Sequence, residues 1–326
     1  MTSPRRATAQ AHPNIALIKY WGNRDDYWRL PANDSLSFNL AGLWTRTTVV
    51  FDPAAEADRL ILHGQEVRGS ALQRVQRVLD AVRARAGLAW RAQVTSENNF
   101  PMAAGIASSA SAFAALAVAA AAAAGLALDE AGLSRLARLG SGSAARSVPG
   151  GYVVWRAGAH DEDSFAYTFL PAAHWALADC IAVVSTQAKA VGSTHGHALA
   201  HTSPLQAARV ADTPRRLALA QDALLRRDFE QLAWVVELDT HLMHAVMQTS
   251  QPPLLYWQAA SLTVMHAVRA WRAQGRAVAY TLDAGPNVHV LCPEDEAQAV
   301  ARDLAALPGV REVRIATVGG PARRLD

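Results

Sequence analysis

Apolar residues fall into two rhythms along this chain, and the balance between them shifts from the first half to the second. Short apolar runs come first, at Asn14 to Trp21, Thr47 to Phe51, Arg59 to His63 and Trp90 to Thr95, and their length and composition predict strands. A helix is expected from about Ala71 to Ala86, a hairpin turn at His63-Gly64-Gln65, and a loop across the polar stretch Gly22 to Asp34. After Pro101 a Gly/Ala/Ser loop leads into a long apolar helix that runs to about Ala124, where Gly125 is placed to end it in the left-handed conformation.

Past residue 178 the pattern is mostly helical. Cys180 to Ser185 reads as a buried strand, followed by helices at Pro204 to Val210, Pro214 to Leu225, Phe229 to Met247 and Leu254 to Gln274. The chain closes with strand Val278 to Leu282, a turn at Ala284-Gly285-Pro286-Asn287, strand Val288 to Cys292, helix Glu294 to Leu307 and strand Val313 to Val318. No internal repeat or low-complexity linker interrupts it. The expected architecture is α+β, in two lobes covering 1–178 and 179–326, with the active site in the cleft between them.

Composition narrows the function classes. Of 326 residues, 51% are hydrophobic and 18% charged, which fits a compact globular protein and excludes a disordered one. The formal charge is +3, and 29 of the 31 cationic residues are arginine. They are scattered through helical segments instead of clustered with aromatics, so a small anionic ligand is expected and nucleic acid is not. Cys180 and Cys292 lie in apolar runs and read as buried free thiols in a reducing, cytoplasmic setting. Met1 to Gln10 holds two arginines and no apolar stretch, so no signal peptide is expected. The segment Ala110 to Leu128 is too alanine-rich to span a membrane.

Candidate chemistry concentrates at residues 100 to 112. Small residues at Ala103, Ala104, Gly105 and Ala107 let the backbone approach a ligand, and Ser108 and Ser109 stand where the helix begins. Free amides and the helix dipole attract an anion there, and a nucleotide triphosphate fits; the plainer alternative is a serine cap on an Ala-rich helix. The full string resembles the Pro-x-x-x-Gly-Leu-x-Ser-Ser-Ala signature of the GHMP kinase superfamily, with Ile106 in place of Leu. That resemblance implies ATP with Mg²⁺, with Ser109 touching the terminal phosphates or the metal, and Ser96 and Asn98 near the base.

Further segments resemble the mevalonate diphosphate decarboxylases within that superfamily. They are Ala11 to Gly22 with Leu30-Pro31 and Asp34 to Ser37; Gly140 to Arg146 with Gly150-Gly151; Ser193 to Gly196 with Thr202-Ser203; and Leu282 to Asn287. The resemblance implies a GHMP-kinase-type fold, with an N-terminal lobe like domain 2 of ribosomal protein S5, and ATP-dependent decarboxylation of a phosphorylated mevalonate in isoprenoid biosynthesis. It also implies a dimer. The chemistry asks for the same residue types. A tertiary alcohol must first accept a phosphoryl group, and Asp283, at a strand end before a turn, is the candidate to orient or deprotonate it. Arg146 would grip the substrate carboxylate in a two-pronged contact, with Ser141 and Ser143 beside it. Lys19, one of only two lysines, suits a compact charge near the phosphates or Asp283. Asn14 and Tyr20 would line the pocket, and Trp21 is assigned to the core.

Three positions depart from the family pattern where the substrate's 5-phosphates are handled. Asn23 stands in place of a Lys, Thr194 follows Ser193 where bacterial members often carry Arg, and His197 replaces a Met. Losing a cation favours a monophosphate over a diphosphate, and Gly-Asn-Arg-Asp with Arg-Leu-Pro looks more like decarboxylases that accept mevalonate 5-phosphate. Arg24 or His197 would restore the diphosphate reading if either supplied the missing charge. Two rivals stay open: a 3-kinase that stops after phosphoryl transfer, and a non-catalytic ligand-binding relative. His195, His197 and His201 do not share one face, so a metal site is not read from them.

Overall fold

The structure, a computed structural model, describes residues 3–100, 108–187 and 191–326. The first hundred or so residues, with one short strand from the far end of the chain, build a six-stranded sheet in the order Arg323–Arg324, Arg5–Ala11, Thr45–Asp52, Arg91–Asn98, Arg59–Leu62, Gln65–Val67. One face is apolar because alternate residues point the same way: Ala7, Ala9, Ala11, Val49, Phe51 and Val94 are buried together. Helices Ser70–Ala86 and Ser108–Ala123 cover that face. The second has no polar side, and 12 of its 16 residues are buried between the sheet and its neighbouring helices. Alanine suits this place, since it favours helix and lets backbones approach closely.

The second sheet runs in the order Ala166–Leu170, Tyr152–Trp155, Ser35–Ala41, Glu312–Val318, Leu177–Val183, Val288–Pro293, Ala279–Thr281, and Asn14–Ile18 pairs beside Ser35–Ala41. Helices Thr213–Arg226 and Phe229–Thr249 pack on one face, and Ala259–Ala273 and Ala297–Ala305 on the other. The strand Leu177–Val183 is therefore buried throughout, with Leu177, Ile181 and Val183 in one core and Ala178, Cys180 and Ala182 in the other.

Several local expectations hold. The strands Arg59–Leu62 and Gln65–Val67 form a hairpin whose turn residues His63 and Gly64 take φ of 48° and 80°. The helix Ser108–Ala123 ends near Gly125, at φ 76°. Both cysteines are free and buried.

Others are corrected. The polar stretch expected as loop contains a short antiparallel pair, Asn23–Asp25 with Leu30–Pro31. The strands Arg5–Ala11, Ser35–Ala41, Tyr152–Trp155 and Ala166–Leu170 and the helix Glu130–Gly140 were not expected. Arg5–Ala11 escapes notice because its buried side is made of alanines, which carry little strand signal. The helix expected from Leu254 starts at Ala259, where Gln258 and Ser261 form a capping box. The helix expected from Glu294 opens with a tight turn at Glu294–Glu296 and is α-helical only over Ala297–Ala305, and the strand expected from Cys180 begins at Leu177.

Candidate active site

Strand Asn14–Ile18 ends at Lys19, and strand Ala279–Thr281 runs out toward Asp283, which brings the two side chains to one point. The Lys19 ammonium donates to Asp283 Oδ1 at 2.7 Å and to the Ala16 carbonyl at 2.8 Å, and it is 1% exposed. Its main chain is held equally firmly. The Lys19 amide donates to Asp239 at 2.6 Å, and its carbonyl accepts from Asn33 at 2.9 Å and Arg209 at 2.7 Å. Asp239 is itself paired with Arg216 at 2.7 Å, both fully buried.

Across the cleft, the helix Glu130–Gly140 ends at Ser141 and the chain enters a buried 3₁₀ helix, Gly142–Ser147, that carries Arg146. The glycines of this loop are required by contact: a methyl at Gly140 would run into the Phe113 ring, and one at Gly142 into the Tyr20 ring. The Arg146 guanidinium donates to Ser35 Oγ at 2.7 Å and to Asn14 Oδ1 at 3.2 and 3.3 Å. Asn14 in turn donates to the Ser143 carbonyl at 3.1 Å and Ser147 Oγ at 2.8 Å. Arg146 is buried yet has no carboxylate partner among the described residues, which leaves a desolvated cation aimed at the cleft.

Lys19, Asp283, Arg146, Tyr20, Ser141, Ser143, Ser193, Thr194, His197 and Ser109 all line this single cleft. Ser109 Oγ stands 3.3 Å from Ser141 Oγ. Behind the start of the Ala-rich helix lies a second, mainly apolar pocket, walled by Leu60, Leu62, Val94, Phe113 and Leu116 and carrying Ser96, Asn98, Ser108 and Ser109. Its apolar walls have the character a nucleobase needs, with Ser109 and Arg74 lining both spaces. Ala104, Gly105 and Ala107 of the expected phosphate cradle lie outside the described residues, as does Lys189. Among the described residues no group of three His, Cys, Asp or Glu could hold a metal ion. Ser109 lines both spaces, so its hydroxyl is a group that the described residues offer to an Mg²⁺ arriving with a nucleotide.

Three expected residues do not line the cleft: Arg24, Asn23 and Asn14, the last of them buried and accepting from Arg146. Arg24 turns away, its guanidinium donating to the carbonyls of Pro31 at 3.0 Å, Ala157 at 3.2 Å and Gly158. Asn23 does not line the cleft: its oxygen accepts from the Tyr20 hydroxyl and its amide donates to Asp26 at 2.8 Å. Trp21, assigned to the core, is buried but also walls the cleft, and its Nε1 has no partner among the described residues. Arg29 and Arg74 are the residues missed. Both line the cleft, with Arg29 Nε on the Leu139 carbonyl at 3.1 Å, and Arg74 Nε on the Gly140 carbonyl at 2.9 Å with its guanidinium over Phe113. Arg74 sits in a helix with several arginines and has no local signal, whereas Arg29 belongs to the Arg-Leu-Pro string.

The electrostatics separate these groups. Burial raises the Asp283 carboxyl, but the Lys19 charge, His289, the Lys19 hydrogen bond and Arg146 outweigh it and hold it below the usual carboxylate range. Burial lowers Lys19 against the opposing pull of Asp283, and lowers Arg146 to about 10. His197 lies between the Tyr20 ring, 4.1 Å away, and the Trp21 ring, 4.5 Å away, and accepts from the Gly22 amide at 3.0 Å through Nδ1. Burial, with Arg29, Arg146 and Arg209 nearby, pushes it down to about 3, so it is a neutral ring and not the missing cation. His241 bonds the Tyr280 hydroxyl at 2.8 Å, and His244 is buried against Trp257; neither lines the cleft.

Comparison with known proteins places these features in one family. Residues 11–166 match the diphosphomevalonate decarboxylase-like N-terminal domain, and residues 180–317 match the mevalonate 5-diphosphate decarboxylase C-terminal domain. The chain is 40% identical over 328 residues to the diphosphomevalonate decarboxylase of Aspergillus fumigatus, covering 93% of this chain and 81% of that protein. It is 36% identical to the phosphomevalonate decarboxylase of Haloferax volcanii, covering 98% of each. Among solved structures, a complex described as MDDEF with MVAPP, AMPPCP and magnesium superposes with a TM-score of 0.93 at 38% identity, covering 99% of this chain and 100% of that one.

Proposed function

Because the chain belongs to the diphosphomevalonate decarboxylase family, we propose that it uses ATP to decarboxylate a 5-phosphorylated mevalonate, with mevalonate 5-phosphate as the preferred substrate and isopentenyl phosphate as the product. One observation carries the chemistry: the Lys19–Asp283 pair, at 2.7 Å, faces a buried Arg146 without a carboxylate partner, with Ser109 on the same cleft.

Arg146 holds the substrate carboxylate by two parallel hydrogen bonds, a geometry lysine does not reproduce. Asp283 then accepts a hydrogen bond from the tertiary hydroxyl. A carboxylate held below its ordinary range is a weak base, so its main part is to orient the oxygen and take the proton as the new P–O bond forms. Mg²⁺, when bound with the nucleotide, neutralises charge on the phosphates, and the Ser109 hydroxyl is what the chain offers it. The phosphorylated oxygen next leaves with the electron pair of its bond to carbon. The bond to the carboxyl carbon supplies the electrons of the new double bond, and CO₂ departs. Lys19 keeps Asp283 ionised without giving up its own proton.

Three observations support the monophosphate. Asn23 is occupied by Tyr20 and Asp26, Arg24 points away, and His197 is neutral, so neither candidate replacement for the family's lysine supplies a charge. The deciding measurement is kcat/KM with ATP on mevalonate 5-phosphate and on the 5-diphosphate, following ADP and CO₂ together. Equal release of ADP and CO₂ with preference for the monophosphate is expected; preference for the diphosphate overturns the substrate assignment, and ADP without CO₂ overturns the decarboxylation. The same reading takes the chain as two lobes meeting near 178/179 and as a cytoplasmic homodimer, checked by light scattering and cell fractionation. Among the described residues no helix is long and apolar enough to cross a membrane.

A further inference from the structure

Position 23 lacks the family's cation, and the hairpin that carries Asn23 brings a different cation, Arg29, to the cleft. The strand pair Asn23–Asp25 and Leu30–Pro31 ends its turn on Arg29, whose backbone takes φ 51°, a conformation that non-glycine residues rarely adopt. This hairpin is braced from below. Arg138 donates to the Trp28 carbonyl at 2.9 Å and is itself ion-paired to Asp161, so the residue before Arg29 is held by a fully buried cation. The brace turns the Arg29 side chain inward, where it is 7% exposed and lines the cleft.

The guanidinium is unfinished. Its Nε donates to the Leu139 carbonyl at 3.1 Å, and among the described residues it makes no ion pair. The acid nearest in sequence, Asp26 on the same hairpin, is already engaged by Asn23 at 2.8 Å. A buried arginine fork with free donors is costly unless an anion completes it. Of the three cleft arginines, Arg146 faces the Lys19–Asp283 pair, where the functional reading gives it the substrate carboxylate, and Arg74 also lines the apolar pocket on the nucleotide side. Arg29 lines the cleft and not the apolar pocket, and its charge is felt at Tyr20 and His197, which line the same cleft.

We propose that Arg29 is the cation that grips the 5-phosphate of the substrate and, as a single fork on the cleft, sets the preference for one phosphate over two. The proposal rests on the functional reading above. A planar fork matches two oxygens of one phosphate, whereas a diphosphate presents a second group and position 23 offers it no cation.

Steady-state kinetics of the full chain with ATP and each mevalonate phosphate tests it, using wild type, Arg29→Gln, Arg29→Lys and Asn23→Lys. Arg29→Gln should raise KM for mevalonate 5-phosphate by about tenfold to a hundredfold with little change in kcat or in KM for ATP. Arg29→Lys, which keeps charge and bulk, should recover part of that loss, and covers the case in which the glutamine variant fails to fold. Asn23→Lys should raise kcat/KM for the diphosphate relative to the monophosphate. A KM for both phosphates within about twofold of wild type in both Arg29 variants overturns the proposal. So does a rise confined to the KM for ATP. If wild type prefers the diphosphate, the substrate assignment fails by itself, and Arg29 is still judged by the KM shift on that substrate.

Discussion

At the scale of single residues the cleft separates charge states by partner more than by residue type. Asp283 sits below the ordinary carboxylate range, so it stays ionised across the physiological range. Its lowered folded value adds stability above the unfolded pKa and loses it as pH falls through the folded one. The kcat/KM profile should therefore show no acid limb from this group above about pH 4, and its alkaline limb should fall below the ordinary lysine value as Lys19 loses its proton. His197, near 3, is neutral throughout, so His197→Gln should leave the profile between about pH 5 and 8 unchanged; an inflection there in wild type that the variant loses would contradict a neutral ring. Asp283→Asn should cost about 10²- to 10⁴-fold in kcat while ATP binding, read by calorimetry, stays close to wild type.

At the scale of elements, the Gly-Ser loop depends on the two helices it joins. Gly140 lets helix Glu130–Gly140 close on Phe113, whose ring also supports Arg74. Gly140→Ala should destabilise the fold by about 1–3 kcal/mol through overpacking, seen as a lower denaturant midpoint. The other end of that helix is capped by Asp129, which accepts from the Gly132 amide at 2.8 Å. Asp129→Ala should cost about 1 kcal/mol without changing KM, because the cap lies far along the helix from the cleft.

At the scale of the whole molecule, the late helices hold the early strand. Asp239 of Phe229–Thr249 takes the Lys19 amide and pairs with Arg216 of Thr213–Arg226, so a fully buried ion pair of the second half anchors the early strand through one hydrogen bond. Removing one partner strands the other charge: Arg216→Met should cost about 3–5 kcal/mol and lower the thermal midpoint well beyond the effect of exposed-arginine variants. The C-terminal strand Glu312–Val318 performs a related service, pairing with Leu177–Val183 on one side and Ser35–Ala41 on the other, so one sheet runs through both halves.

Much of this was legible without coordinates wherever a local rule applies. Apolar runs announce strands buried on both faces, and the positive-φ turn at His63-Gly64 follows from residue type. The ordered motifs around Lys19, Ser109, Arg146 and Asp283 point to one chemistry, because each motif satisfies a short-range need such as a helix start, a close approach or a strand end. Strand Arg5–Ala11 stayed hidden because alanine buries a face without marking it. The direction of a long side chain, by contrast, is decided by whatever packs around it. Arg24 and Arg29 are five residues apart on one hairpin, yet one finds backbone carbonyls outside and the other is turned into the cleft by a brace from Arg138, far along the chain. Charge state follows the same rule: whether His197 is a cation or a neutral ring depends on the burial and the neighbouring arginines that only the folded chain brings to it.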